Sequence, residues 1–191
     1  MDRWAHLGHR RGECWVDTSA RTTYVHIPKN ASSYIKGCLL STNQWQHSDS
    51  LVQNEKYLVA LRDPVDRWLS GIAQYQVNSN QFNLSINEIF DTITFDDHTE
   101  QQIYFLEGVN LLACDFIWVD DGLTARLNKW FTEKYSITID HLPKYNTSEG
   151  VKLEIKQRLI NAIDQDPELL LKLKEHFAID YQLIERVKFY D

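Results

Sequence analysis

The sequence predicts an α/β protein, a single domain spanning residues 1–191 in which a parallel β-sheet is flanked by helices. Three observations carry that expectation. Short apolar runs of strand character, Tyr24 to Ile27, Leu58 to Leu61 and Phe116 to Val119, are each followed by a segment of helical periodicity. No tight hairpin signal joins these runs, so strands separated by helices should pair in parallel. The length of 191 residues suits one domain, with 43% hydrophobic, 12% aromatic and 25% charged residues, an ordinary globular composition.

Taken in order, residues 1–20 carry little beyond a basic knot, His9, Arg10 and Arg11, and read as a loosely ordered N-terminal segment. Tyr24 to Ile27 is the first strand. After Pro28 and Lys29 a polar turn leads into a helix from about Ser32, with Ile35, Leu39 and Leu40 as its apolar face. Residues 41–56 are polar and loop-like, where an α/β enzyme would carry a substrate loop. The strand Leu58 to Leu61 ends in Arg62; Asp63 and Pro64 then open a helix whose apolar face is Val65, Trp68, Leu69 and Ile72.

An Asn- and Gln-rich break, Asn78 to Asn83, follows. Ser85 with Glu88 makes a capping box for a short helix to about Ile93, and a further helix is expected from about Thr99. Phe116 to Val119 is a third strand, with Asp120 or Asp121 capping the next helix. Ser148 and Pro167 mark the starts of two long closing helices. There is no internal repeat and no low-complexity tract, and nothing in the pattern sets an oligomeric state.

A cation therefore stands at the end of each of the first two strands. The first turn of a helix exposes backbone N–H groups and the positive end of its dipole. Ser32 and Ser33 with Lys29 before them and Lys36 one turn on thus make a cradle for a phosphate-like anion. The loop is not a Walker loop, because no glycine lies between Gly12 and Gly37.

The two segments, HIPKNASSYIK and LRDPVDRWLS, resemble the cofactor segments of sulfotransferases that use 3'-phosphoadenosine 5'-phosphosulfate (PAPS). The nearest likeness is to the carbohydrate sulfotransferases, whose loops read PKxxxT and RxPxxRxxS. The resemblance implies a P-loop-like sulfotransferase fold and a cofactor site made of Pro28, Lys29, Asn30, Ala31, Ser32, Ser33 and Tyr34, with Arg62 and Ser70 on the 3'-phosphate. Asp97 to Leu106 is similar to the family's His and Gln segment, residues 142–148 (LPKYNTS) to a late cofactor loop, and HFAIDYQLIERV to its last helix. Asn30 departs from the Thr of many relatives, and Ser32 and Ser33 from the common Gly and Thr. Lys144 and Asn146 stand either as contacts to cofactor phosphate or ribose or as a surface turn.

The implied reaction is in-line transfer of a sulfuryl group from PAPS to a hydroxyl or amine, with a carbohydrate as the expected acceptor. Lys29 would neutralise the departing oxygen. His98 is the chosen base, an imidazole suited to proton abstraction near neutral pH, with Glu100 and Glu107 as alternatives. His26 is expected to be packed or to position the loop, while His47 and His141 have no assigned role. Trp68 and Tyr75 lie at helical spacing and read as core. No metal is expected, since the transferring group bears less charge than a phosphoryl group and no carboxylate cluster is evident in the sequence.

A net charge of −7 argues against nucleic acid as the main partner, because binding a phosphate backbone needs a basic surface. Three cysteines without a CxxC point to a reducing compartment and to small core residues. No run reaches membrane-spanning length, so a soluble, cytoplasmic protein is expected. Two other function classes share the scaffold: a nucleotide-dependent small-molecule kinase, and a non-catalytic nucleotide- or carbohydrate-binding protein. The kinase would want a glycine-rich loop and a Mg²⁺-binding carboxylate.

Overall fold

The structure is a computed structural model and describes residues 11–139 and 150–190. It is α/β, with one five-stranded sheet and seven α-helices among the described residues. By its internal contacts the described chain divides into two compact units. One gathers Asp63–Ile103 with residues 150–185, and the other residues 11–62, 104–139 and 186–190.

The second of these holds the sheet. Its strands are β1 (Cys14–Asp17), β2 (Thr22–Val25), β3 (Gln46–Ser48), β4 (Lys56–Leu61) and β5 (Cys114–Trp118), in the order β3-β1-β2-β4-β5. β2, β4 and β5 are parallel as the sequence predicts, but β1 runs antiparallel to both β2 and β3, so the sheet is mixed. The expected all-parallel sheet is corrected at a hairpin whose turn is built by a buried acid. Asp17 Oδ1 accepts from the Ser19 and Ala20 N–H groups at 2.8 and 3.0 Å, and Arg21 takes a φ of 50°. Residues 14–17 are thus a fully buried strand rather than part of a loose terminus, and residues 46–48 form an edge strand within the expected loop.

Alternation along the strands sets the core of this unit. Trp15, Tyr24, Leu58, Ala60 and Ile117 share one sheet face and pack with Ile35, Cys38 and Leu39 of α1 (Ser32–Ser41) and Leu127, Trp130 and Phe131 of α4 (Leu123–Tyr135). The buried, free thiols of Cys14 and Cys38 are core residues, as expected. The sheet places the carboxyl ends of neighbouring parallel strands β2 and β4 side by side, and a loop leaves each.

The other unit is helical. α2 (Pro64–Ser79) starts where the sequence puts it: Asp63 Oδ1 accepts from Asp66 N at 2.8 Å and Pro64 occupies the first turn. Its stripe of Trp68, Leu69, Ile72 and Ala73 packs with α3 (Ile86–Thr92), α5 (Val151–Gln165) and α6 (Pro167–His176) through Ile89, Phe90, Ile155, Leu159 and Leu173. Each such large side chain contributes about 1.5–3 kcal/mol on burial. Ser85 and Glu88 form the expected capping box of α3. α7 (Ala178–Arg186) follows α6 after a break at Phe177, so two closing helices become three. The helix expected from Thr99 is absent, since residues 95–101 form an irregular turn before a short 3₁₀ segment, Gln102–Leu106. No helix among the described residues is long and apolar enough to cross a membrane.

Candidate functional site

Beyond β2, His26, Ile27 and Pro28 are buried, and the chain then takes two left-handed residues, Lys29 at φ 69° and Ala31 at φ 53°. Neither is glycine, so the conformation costs on the order of 1–2 kcal/mol at each position and must be imposed by its surroundings. Two side chains impose it. Asn30, fully buried, donates through Nδ2 to the Ala60 carbonyl of β4 at 2.7 Å. Arg62, just past the end of β4, donates through Nη1 to the Lys29 carbonyl at 3.0 Å. The two loops singled out in the sequence are therefore one hydrogen-bonded assembly.

Left-handed Lys29 and Ala31 flank Asn30, whose N–H donates to the Ile27 carbonyl at 3.3 Å, and the chain then enters the first turn of α1, a place suited to an anion. Ala31 caps α1 without a side-chain oxygen, and the first turn holds no acid, so the helix itself does not neutralise its positive end. Ser32 and Ser33 are the first two helical residues. Tyr34 reaches Thr124 of α4, hydroxyl to hydroxyl, at 3.1 Å. Lys36 does not join the cradle: its ammonium lies 4.9 Å from the centre of the Trp15 ring.

His26 behaves as a positioning residue. Its Nδ1 meets Glu13 Oε2 at 2.7 Å, and its backbone N–H donates to the Glu13 carbonyl at 3.1 Å. The other oxygen of Glu13 lies 3.3 Å from Nε2 of His47 on β3.

In the helical unit, Ser70 turns its hydroxyl back to the Asp66 carbonyl at 3.0 Å, an ordinary intrahelical bond. His98 occupies a built setting in the 95–101 turn. Its Nδ1 lies 2.9 Å from both Asp96 Oδ2 and Asp97 Oδ1, and its backbone N–H donates to Asp96 Oδ1 at 3.0 Å. Thr99 Oγ1 accepts from the N–H groups of Phe95 and Asp96 at 2.8 and 2.9 Å, closing the turn. Burial opposes charge on the ring, but the hydrogen bonds and charges of Asp96 and Asp97 outweigh it, and the His98 pKa is raised. A proton fixed on Nδ1 by carboxylates leaves Nε2 as the basic atom when the ring is neutral.

The sequence missed this carboxylate pair. Asp96, Asp97 and His98 bring donor atoms within 4.8 Å of one another, and both aspartates are spent on the imidazole. The alternative bases are occupied otherwise: Glu100 Oε1 accepts from Gln101 N at 2.8 Å, and Glu107 pairs with Arg11. Also missed were Arg67 and Asp180, both 1% exposed. A signal for them existed, since each falls on an inward position of its helix, Arg67 beside Trp68 and Asp180 between Phe177 and Leu183. Lys144, Asn146 and His141 lie outside the described residues.

No family model, no curated protein and no solved structure matches this chain.

Proposed function

We propose that the protein is a PAPS-dependent sulfotransferase of P-loop-like sulfotransferase fold, acting on a hydroxyl-bearing acceptor, a carbohydrate by motif resemblance. The observation that carries this reading is the joined pair of strand-end loops, with Arg62 on the Lys29 carbonyl and Asn30 on the Ala60 carbonyl. Such a pair is costly to build from non-glycine residues, and an anion held at the first turn of α1 accounts for the expense. In a chain of net charge −7, local N–H groups and cations are what an anionic cofactor needs.

PAPS supplies the sulfuryl group and departs as the 3',5'-bisphosphate. Lys29, with Ser32 and Ser33 at the head of α1, holds the 5' end, and its ammonium offsets the charge that develops on the departing oxygen. Arg62 holds the 3'-phosphate while also fixing the Lys29 loop. Ser70 is assigned to that phosphate by motif resemblance alone; its single hydroxyl proton, donated to the Asp66 carbonyl, turns to a phosphate oxygen when the cofactor binds. His98 takes the acceptor proton on Nε2, and Asp96 and Asp97 stabilise the imidazolium that results.

Transfer of sulfur-35 from labelled PAPS to a panel of sugars, phenols and lipids tests the reading. A labelled sugar is the expected result. Tight binding of 3'-phosphoadenosine 5'-phosphate with no acceptor labelled would support a non-catalytic binder instead.

A further inference from the structure

Burying a guanidinium costs several kcal/mol unless its donors are well met, and a methionine would fill the same inward position on α2 without that cost. Arg67 is 1% exposed, and its donors go to backbone: Nη1 to the Glu100 carbonyl and Nη2 to the Asp97 carbonyl at 3.1 Å. Burial lowers its pKa to about 10, with Asp180 the leading counter-charge, so it stays a cation. The Asp180 carboxylate accepts from the N–H groups of Gln102 and Ile103 at 2.8 and 2.9 Å. Two buried, mutually attracting charges thus grip two carbonyls and two N–H groups of the segment that carries His98, a segment with no continuous helical ladder of its own. α2 comes close enough to do this because of Gly71: a Cβ there would stand 2.2 Å from the His98 carbonyl oxygen.

We propose that Arg67, with Asp180 as counter-ion, is the positioning residue of His98: it sets the 96–100 turn and so keeps the imidazole between Asp96 and Asp97. The inference rests on reading His98 as the base, but its test does not need turnover. A merely structural arginine would leave the imidazole in the same setting in any variant that still folds.

The test is NMR of the full chain labelled with nitrogen-15 in histidine and arginine. A downfield, exchange-protected Nδ1–H signal that vanishes in His98→Gln is the His98 marker. In Arg67→Lys, which retains charge but lacks the planar fork that presents two separate donor nitrogens, and in Arg67→Met, this signal should move or disappear while circular dichroism and the Trp68 indole N–H still report a folded unit. Where turnover is measurable, kcat should fall about a hundredfold with KM little changed. An unchanged His98 signal in a folded Arg67→Met protein overturns the inference. If neither variant folds, the wild type decides: Arg67 Nη protons should be resolved and slow to exchange, and a freely rotating, averaged guanidinium overturns it. A wild type that transfers no sulfuryl group but loses the His98 signal on substitution of Arg67 refutes the proposed reaction and upholds the positioning role.

Discussion

The guanidinium of Arg62 donates to the backbone carbonyl of Lys29 at 3.0 Å, tying the residue that follows β4 to the loop that follows β2. The parallel register of β2 and β4, which pairs Val25 with Val59, brings these two residues together from 33 positions apart. The cation of one loop therefore serves the shape of the other, and losing it should be felt in both.

Arg62→Ala should weaken binding of 3'-phosphoadenosine 5'-phosphate by about one to two decades, since a hydrogen bond to a charged group contributes roughly 1.5–3 kcal/mol. The fold should persist. Because Arg62 also holds the Lys29 carbonyl, affinity for 5'-AMP should fall as well, by less. Calorimetric titration of both ligands reads the difference; equal losses would show that Arg62 acts only through the loop.

Ala31→Gly should leave the fold intact and raise stability by up to about 1 kcal/mol, because glycine removes a left-handed penalty that exceeds its own entropy cost. Ala31→Val should lose more than 1 kcal/mol by the same argument, with the order of magnitude set by the αL cost. Urea denaturation ranks the three proteins. A glycine variant less stable than wild type would mean that the loop is not strained at this position.

Much of this was legible in the sequence. β2, β4 and β5 and the helices α1, α2 and α3 show in apolar periodicity and caps, and the cations at strand ends follow from them. What was not legible depends on partners far along the chain. The polar run from Asp96 to Gln102 reads as a helix start, yet its conformation is set by Arg67 and Asp180, 30 and 78 positions away in the bonds that they make. β1 was missed because its end residue, Asp17, is an acid that builds a turn while buried, and β3 because an exposed edge strand of three residues has no apolar face.

His98→Gln should remove a pH dependence of both rate and stability. The raised pKa means that the rate limb of the wild type rises above pH 6.5, the ordinary value of the group. For stability the sign is opposite. A folded pKa above the unfolded one gives stabilisation that is complete below about pH 6.5 and fades as pH rises through the folded value. Urea midpoints of wild type and His98→Gln should therefore differ most below about pH 6.5 and converge as pH rises through the folded-state value. A gap that widened with pH would contradict the carboxylate clamp.

Gly71→Ala should destabilise the helical unit by about 1–3 kcal/mol, an overpacking cost, since backbone cannot yield as a flexible side chain would. The Cβ would enter at 2.2 Å from the His98 carbonyl oxygen. Thermal unfolding of Gly71→Ala against Ala73→Gly, a change on the same helix without that clash, isolates the effect. A Gly71→Ala protein as stable as wild type would show that α2 and the 96–100 turn are not in the contact described.

The cofactor class is tested most directly by metal-free isothermal titration of the wild type with 3'-phosphoadenosine 5'-phosphate, ADP and ATP. A PAPS site should bind the 3',5'-bisphosphate at least about tenfold more tightly than ADP, a difference of about 1.4 kcal/mol from the 3'-phosphate contact alone. Preference for ATP, or no binding of the bisphosphate, would contradict it.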